Sequence, residues 1–291
     1  MKLGFLTGRL ADIEKAARFG FDAVELQAGA LGAPAAGPLA SDTLDEATRL
    51  CRTHGVEISA LAYYDLAWAA PPEGEIAATY GRVFDGMERL GVQTLASMSG
   101  FDAARDWDAN IALWAERFGP VAEDAARRGL RVAFENWMSV GGGPLPFRPI
   151  NLGGAPDTWD AMFAALPSPA LGIEFDPSHL YWQGIDHMRA LREYAPRIFH
   201  VHAKDTEMLP ERRYRGGLNG GYFRFRIPGY GEINWTQFIA AVQEIGYDGA
   251  IAIEHEDPVY EGARFDEGLV RGWQTLHPLI HPRAAREGRA Q

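Results

Sequence analysis

Eight short apolar runs, each followed by a segment of helical pattern, set the strongest limit on what this chain folds into. Five of the junctions share one format: a charged last helical turn, a glycine, a short link and an apolar run, as in "RFGFDAVEL" and "THGVEISAL". Glycine readily adopts the left-handed conformation that ends a helix, and apolar runs alternating with helices are typical of parallel β-sheets. The chain is therefore predicted to be an α/β protein of eight strand–helix units.

The number of units separates the two architectures that such units build. A doubly wound sheet uses the same junctions, but eight units are the count of a closed (β/α)8 barrel. A chain of 291 residues, 47% of them hydrophobic, is long enough for one barrel, and no shift in composition marks a second domain. We predict a single TIM-barrel domain over residues 1–291, with a long glycine-rich loop at 206–233 on the substrate side.

The overall charge limits the partners of this chain. A net charge of -11 and a pI near 5.2 repel phosphate backbones and anionic lipids, so neither nucleic acid nor a membrane surface is an expected partner. The N-terminal segment "MKLGFLTGRLADIEKAARFG" turns to glycine and charge after a few apolar residues, which is not the pattern of a signal peptide or a membrane helix. We expect a cytoplasmic protein that acts on a small molecule.

Ionisable side chains gather at the C-terminal ends of the last four predicted strands. Enzymes with this fold place their active sites at these ends, where the loops that follow the strands meet. Strands one to four end in "LTGR", "ELQAG", "AYYD" and "SMSG", which carry fewer carboxylates and no histidine. The candidate residues of strands five to eight are Glu135, Asp176, His179, His202, Lys204, Asp205, Glu254 and Glu256.

Two glutamates, one aspartate and one histidine, one from each of four consecutive strands, are typical ligands of a divalent ion. Carboxylates and imidazole suit Mn²⁺, Mg²⁺, Co²⁺ or Zn²⁺, and open positions on such an ion can take two oxygens of a hydroxy-carbonyl compound. Each residue alone is typical of a wet strand end. Four such ends meeting at one place favour the metal site.

Other residues near these ends have more than one interpretation. Lys204 follows His202 by two and shares its face of the strand, so it either donates to a substrate oxygen or forms a salt bridge to a carboxylate. We interpret Asp205 and Glu256 as partners that orient metal ligands. Trp137 follows a strand end, where its ring can stack on a sugar.

The chain resembles a known family on a set of motifs spread over nearly its whole length. These motifs are "FEN" at strand five, "FDPSH" at strand six, "HVHAKD" at strand seven, "PGYGEINW" before the next helix and "IAIEHED" at strand eight. The family is that of the xylose-isomerase-like barrels, within it the sugar phosphate isomerase/epimerase group. This group includes ketose 3-epimerases, inosose dehydratases and hydroxypyruvate isomerases.

The resemblance implies a role for individual residues. It assigns one divalent metal ion (Mn, Mg, Co or Zn) to Glu135, Asp176, His202 and Glu254. It implies that His179 contacts the substrate beside the metal, and that the two glutamates also move protons at carbon. By resemblance Arg226, just before "PGYG", is a substrate-side residue, and a phosphate or carboxylate on the substrate would explain an arginine there. Trp235 is by resemblance a packing residue at the start of a helix.

The resemblance leaves the reaction open between two classes. The first is a divalent-metal-dependent sugar or sugar phosphate isomerase or epimerase, acting by proton transfer through a metal-bound enediolate. The second is a lyase, dehydratase or hydratase that uses the same enolate chemistry on a 3-keto-sugar, a keto-inositol or a 3-keto-glycoside. In both classes the partner is a small sugar or keto-sugar, and the resemblance is compatible with a homo-oligomer.

Two further classes are disfavoured by the sequence. Relatives that hydrolyse DNA at abasic sites with three zinc ions need additional histidines, whereas "HVHAKD" is followed by no second aspartate–histidine pair and strands two and three end in "ELQAG" and "AYYD". A non-catalytic sugar-binding protein would not need four metal ligands.

Overall fold

The computed structural model describes residues 1–64, 75–138, 151–216 and 221–281. The barrel strands are β1 (Lys2–Thr7), β2 (Ala23–Gln27), β3 (Glu57–Tyr63), β4 (Thr94–Ser97), β5 (Arg131–Glu135), β6 (Leu171–Phe175), β7 (Ile198–Ala203) and β10 (Ala250–Ile253). They pair in parallel and close in the order β1–β10–β7–β6–β5–β4–β3–β2. The predicted single TIM barrel is confirmed.

Helices alternate with the strands and surround the barrel. They are α1 (Asp12–Phe19), α2 (Ser41–His54), α3 (Glu75–Leu90), α4 (Trp107–Arg128), α5 (Pro156–Ala165), α6 (Pro177–Gln183), α7 (His187–Glu193), α8 (Pro210–Gly216), α9 (Trp235–Glu244) and α10 (Phe265–Ile280). Helices α1, α2 and α4 end at Gly20, Gly55 and Gly129, all with positive φ, as the junction format predicts. No helix within the described ranges combines the length and apolarity needed to cross a membrane.

The apolar core lies between the strands and the surrounding helices, and it sets which strand residues face inward. On β5, Phe134 packs outward against Trp114 and Phe118 of α4, with ring centroids 5.5 Å and 5.0 Å away. Burying a phenylalanine stabilises the fold by roughly 1.5–3 kcal/mol. Because side chains alternate along a strand, the next residue, Glu135, is directed into the barrel.

The segment predicted as a long loop at 206–233 contains regular structure. Strands β8 (Asp205–Met208) and β9 (Phe223–Arg226) form an antiparallel pair, and α8 lies between them in the chain. Residues 217–220 lie outside the described residues. Arg224 donates to both carboxylate oxygens of Glu207 at 2.8 and 3.0 Å, and this ion pair ties the two strands together. Apolar and charged residues alternate in "FRFR" of β9, which is typical of a strand, whereas the many glycines of the segment favoured the prediction of a loop.

Asp205 lies at the start of this hairpin, and its contacts differ from those expected. Its buried carboxylate accepts hydrogen bonds from the backbone N–H groups of Gly229, Gly231 and Ile233 at 2.9–3.1 Å and from Nε1 of Trp235 at 2.8 Å. The structure therefore places Asp205 as the anchor of the "PGYGEINW" loop instead of beside a metal ligand. Trp235 is buried at the start of α9, as predicted.

Replacing Gly172 of β6 by alanine should destabilise the barrel. A Cβ atom at this position would overlap the Arg197 carbonyl oxygen and the Phe199 ring. Overpacking of this kind typically costs about 1–3 kcal/mol, which urea unfolding of the variant will measure. Gly81→Ala in α3 is the matched control, because its Cβ would meet only Asp124 Oδ2 at 3.9 Å, an ordinary contact, and it should gain about 0.5–1 kcal/mol. An unchanged free energy of unfolding for Gly172→Ala would contradict this packing.

Replacing Asp205 by asparagine should weaken the fold by about 1.5–3 kcal/mol, the range for a hydrogen bond to a charged group. An amide has a single acceptor oxygen, and its NH2 group would face N–H donors of the loop. Asp248→Asn, at an exposed position outside the helices, serves as the control and should stay within about 0.5 kcal/mol of wild type. Equal stabilities of the two variants in urea would show that Asp205 does not hold the loop.

Candidate metal centre

Four predicted ligands converge at the C-terminal mouth of the barrel. Glu135 ends β5, Asp176 follows β6, His202 lies in β7 and Glu254 follows β10. Each offers one ligand atom, and these atoms all lie within 4.8 Å of one another. We call these four residues the mouth cluster. The structure thus brings together the set that the sequence selected.

Asp176 reaches this position because β6 stops where α6 begins. Its Oδ1 accepts from the Ser178 backbone N–H at 2.8 Å and so caps α6, whose first residue is Pro177. Its Oδ2 is buried without a hydrogen-bond partner and lies 3.2 Å from Nζ of Lys204. One carboxylate therefore holds the helix start with one oxygen and turns the other to the mouth cluster.

His179, on the first turn of α6, lies beside the mouth cluster. Its Nε2 is 3.6 Å from Glu135 Oε1 and 3.6 Å from Asp176 Oδ2. Both ring nitrogens are buried without a hydrogen-bond partner among the described residues. The imidazole and the Phe225 ring pack edge to face, with 5.2 Å between the ring centroids. Buried imidazole nitrogens are normally satisfied, so these two are consistent with a ligand in this space.

Lys204 is fully buried next to the mouth cluster. Its Nζ lies 2.6 Å from Glu254 Oε2 and 4.0 Å from Glu135 Oε1, and it stands 4.6 Å from the centre of the Phe225 ring. Glu256 also binds this ammonium at 3.1 Å, so Glu256 approaches the cluster through Lys204. These contacts agree with the interpretation in which Lys204 forms salt bridges to carboxylates.

The charges of the mouth cluster are mutually dependent. Burial would lower the pKa of Lys204, but the charges of Glu254 and Glu256 hold it well above its usual value. Burial would raise the pKa of Glu135, but the neighbouring imidazoles of His179 and His202 and the charge of Lys204 hold it well below the usual value. Burial would likewise raise the pKa of Glu254, whereas the Lys204 charge lowers it. Both glutamates are therefore carboxylates at neutral pH.

These residues fit a divalent cation. Three carboxylates and one imidazole form the donor set, which suits Mn²⁺, Co²⁺ or Zn²⁺ and, with water, Mg²⁺. The buried Oδ2 of Asp176 and the unsatisfied nitrogens of His179 are the independent observations that agree with a bound ligand.

A second polar set lies deeper in the barrel, and sequence reasoning missed most of it. It consists of Glu25 of β2, Glu174 of β6, His200 of β7 and Tyr64, and we call it the inner layer. The Tyr64 hydroxyl lies 2.9 Å from Oε1 of Glu25 and 2.9 Å from Oε2 of Glu174. His200 Nδ1 lies 2.9 Å from Glu174 Oε1, and the ring is buried in the barrel.

Protonation of the inner layer follows from its burial. Burial and the neighbouring Glu25 charge raise the pKa of Glu174 well above its usual value. Burial also lowers the pKa of His200 to about 4. A phenol has one proton, so Tyr64 donates it to the Glu25 carboxylate and accepts the proton of the protonated Glu174.

The sequence carries a signal for these missed residues. Glu174 and His200 each precede a mouth-cluster residue by two, so each shares its inward face. Glu25 interrupts the apolar run "DAVEL", and a charge within a buried strand is informative because it needs a partner. Glu25 opens "ELQAG", the end of strand two, where a single carboxylate without a histidine does not by itself predict a site.

Arg226 and Trp137 are the two other residues predicted to contact the substrate. Arg226 lies away from the mouth cluster, and Trp137 is partly exposed. The Arg226 guanidinium donates to Asp257 Oδ2 at 2.8 Å and to Glu207, so its charge is matched by one carboxylate of the hairpin and one that follows β10. The structure brings Arg226 to these carboxylates and not into the mouth cluster. Trp137 is partly exposed directly after β5, and its backbone carbonyl accepts from Asn151 at 2.8 Å.

A cleft of about 690 Å³ opens beside Glu254 and Glu256. This volume lies in the range of small-molecule sites. Its other walls come from the ends of β1 and β2 and from the segment before α10, and they include Thr7, Arg9, Gln27, His255 and Phe265. The lining is largely polar, which suits a hydroxylated ligand better than an apolar one.

Several known proteins are similar to this chain. The inosose dehydratase of Lacticaseibacillus casei is 27% identical over 190 residues, which are 61% of this chain and 58% of that protein. The chain spans between 30% and 58% of the length of curated relatives that it matches.

Two solved structures share the fold over nearly the whole chain. The probable 3-DHS dehydratase AsbF of Bacillus anthracis has a TM-score of 0.72 at 15% identity, covering 97% of this chain and 100% of that one. A D-psicose 3-epimerase with D-tagatose, from Clostridium cellulolyticum H10, has a TM-score of 0.65 at 18% identity, covering 96% and 99%. At these identities the likeness concerns the fold alone.

A family model matches most of the chain and agrees with both the closed barrel and the motifs at strands five to eight. It is the model of the xylose isomerase-like TIM barrel, and it matches residues 13–272. This protein belongs to the xylose isomerase-like TIM barrel family.

Proposed function

We propose that this protein is a divalent-metal-dependent isomerase or epimerase of a sugar, sugar phosphate or related hydroxy-keto compound. The observation that carries the proposal is that Glu135 and Glu254, two carboxylates with lowered pKa, share one ligand cluster with Asp176 and His202. Two ionised carboxylates at one centre can remove a proton from carbon and return one. A bound divalent ion would polarise the substrate carbonyl as a Lewis acid.

We assign a separate role in the proposed reaction to each residue around the centre. Glu254 borders the cleft, so we assign it the removal of the proton next to the carbonyl, and Glu135 the return of a proton to that carbon. Lys204 remains an ammonium and is assigned as a donor to a substrate oxygen, with Glu256 holding it in place. His179, with unsatisfied ring nitrogens, is assigned to a substrate hydroxyl.

The other predicted contacts have weaker support. Trp137 stays a candidate stacking surface beside β5. For Arg226 a substrate role would require it to leave Glu207 and Asp257, so we assign it to the hairpin and not to the substrate. A cytoplasmic location and a homo-oligomeric state remain predictions from the sequence.

A dehydratase is the second candidate, and the inosose dehydratase relatives favour it. The first step is the same, since Glu254 removes a proton next to a carbonyl. The outcome differs because a β-hydroxyl then leaves as water, with Lys204 as the nearest charged donor. The suited substrates are 3-keto-sugars, keto-inositols and 3-keto-glycosides.

Metal binding should stabilise the folded protein. A ligand that binds only the folded state at 100 times its Kd adds about 2.7 kcal/mol. We expect the melting temperature of EDTA-treated protein to rise when Mn²⁺ or Co²⁺ is restored, and to rise much less in Glu254→Gln, which lacks one charged ligand. Glu14→Gln, on the exposed surface of α1, should behave as wild type. The same gain in Glu254→Gln as in wild type would remove Glu254 from the ligand set.

Proton transfer itself is tested by proton NMR in D2O with the metal restored. Ketohexoses, a keto-inositol and a 3-keto-glycoside serve as probes. We expect deuterium next to the carbonyl, and a loss of about 10²- to 10⁴-fold in Glu254→Gln, the range of general acid–base catalysis. An epimerised product supports the first candidate, and loss of water supports the second. Metal binding without exchange in any probe would contradict both.

A further inference from the structure

The His202 ring joins the mouth cluster to the inner layer. Its Nδ1 lies 3.0 Å from Glu254 Oε2 and 3.3 Å from Glu135 Oε1. Its Nε2 lies 2.7 Å from Glu25 Oε2 and 3.2 Å from Glu174 Oε1. The ring is fully buried, so each nitrogen has a defined set of neighbours. The two nitrogens thus serve two different environments.

A metal ligand requires one nitrogen of this ring to present a lone pair. A neutral imidazole carries one N–H and one lone pair, and the group that accepts from the N–H decides which nitrogen keeps the proton. The mouth cluster faces Nδ1, so the proton must stay on Nε2. Glu25 offers the shortest contact to Nε2.

We propose that Glu25 is a positioning residue that holds His202 with its proton on Nε2 and its Nδ1 lone pair toward the mouth cluster. The inference rests on the proposed metal-dependent function and adds to it a residue of β2, three strands from β7 around the barrel. Histidine ligands are commonly oriented in this way by a carboxylate behind them.

Glu25 is itself held in place. It is fully buried on β2, between the paired strands β1 and β3. Its Oε1 accepts from the Tyr64 hydroxyl at 2.9 Å, which leaves Oε2 directed at His202. An acceptor fixed by both its strand and a neighbouring hydroxyl loses little freedom when it orients the ring.

A second metal ion is the competing interpretation of the inner layer. Ligand atoms of Glu25, Glu174, His200 and His202 also lie within 4.8 Å of one another. However, the atom that His202 offers to this set is Nε2, and ions at both nitrogens would require the ring to lose both its protons. The Tyr64 hydroxyl also already bridges Glu25 and Glu174. A proton acceptor therefore explains the inner layer better.

Calorimetric titration of metal-free protein with Co²⁺ tests this role in three variants. Glu25→Met removes the acceptor and should weaken binding about 10- to 100-fold, the usual cost of losing such a partner. Glu25→Gln keeps an acceptor oxygen at the same distance without the charge and should retain most of the affinity. Glu25→Asp keeps the charge, but its side chain is one methylene shorter, so the carboxylate lies farther from His202. It should lose affinity as Glu25→Met does.

The imidazole N–H signal gives a readout that a merely structural role would not move. In the Co²⁺-loaded protein, the shifted N–H proton of His202 should exchange slowly with water in wild type and Glu25→Gln. It should exchange rapidly or disappear in Glu25→Asp and Glu25→Met. Glu14→Met, an exposed change of the same kind on α1, should match wild type in both measurements.

The possible results separate the two proposals. Wild-type protein that binds no Co²⁺ would overturn the metal-dependent function and this role with it. Wild-type binding with unchanged affinity in Glu25→Met and Glu25→Asp would overturn the positioning role alone. Weak binding in Glu25→Gln with strong binding in Glu25→Asp would also overturn the positioning role, because it would assign the effect to the charge of Glu25. Two bound ions in wild type and one in Glu25→Met would establish the second metal site instead. If Glu25→Met does not fold, the Gln and Asp pair decides.

Discussion

Burial of charge at the centre of a closed barrel is the constraint on which this molecule depends. Moving a carboxylate out of water costs several kcal/mol unless partners compensate it. The carboxylates of Glu25, Glu135, Glu174 and Asp176 are almost completely buried. Lys204 and His202 lie among them, and protonation of Glu174 removes one negative charge. The positions of the strands, the charges and the ring proton are therefore tied to one another.

Because of this constraint, polar side chains occupy part of the interior that apolar side chains usually fill in a TIM barrel. Barrel interiors are normally filled by layers of branched apolar side chains. Here one or two inward positions on each of several strands carry an acid or a histidine, and the apolar packing is left to the outer faces of the strands. Residues such as Phe134, which pack against the helices, supply the rigidity that keeps the polar groups in register.

The sequence was sufficient for the parts of the molecule that depend on local pattern. Glycines after charged helix ends and the count of apolar runs predicted the closed barrel, and motifs at strand ends selected the four residues of the mouth cluster. Contacts across the barrel could not be predicted in this way. Glu25 meets His202 only because the sheet closes, which brings β2 within three strands of β7, through β1 and β10. Asp205 and Arg226 likewise found partners in a hairpin whose glycine-rich sequence resembled a plain loop.

The hairpin of β8 and β9 is held together by ion pairs that lie within it and at its junction with the barrel. Glu207 binds Arg224 and Arg226, and Asp257, which follows β10, also binds Arg226. Helix α8, which lies between the two strands in the chain and has no buried residue, takes no part in these ion pairs. Substitutions on α8 should therefore leave unchanged both the pairing of the two strands and the position of Phe225 beside His179 and Lys204.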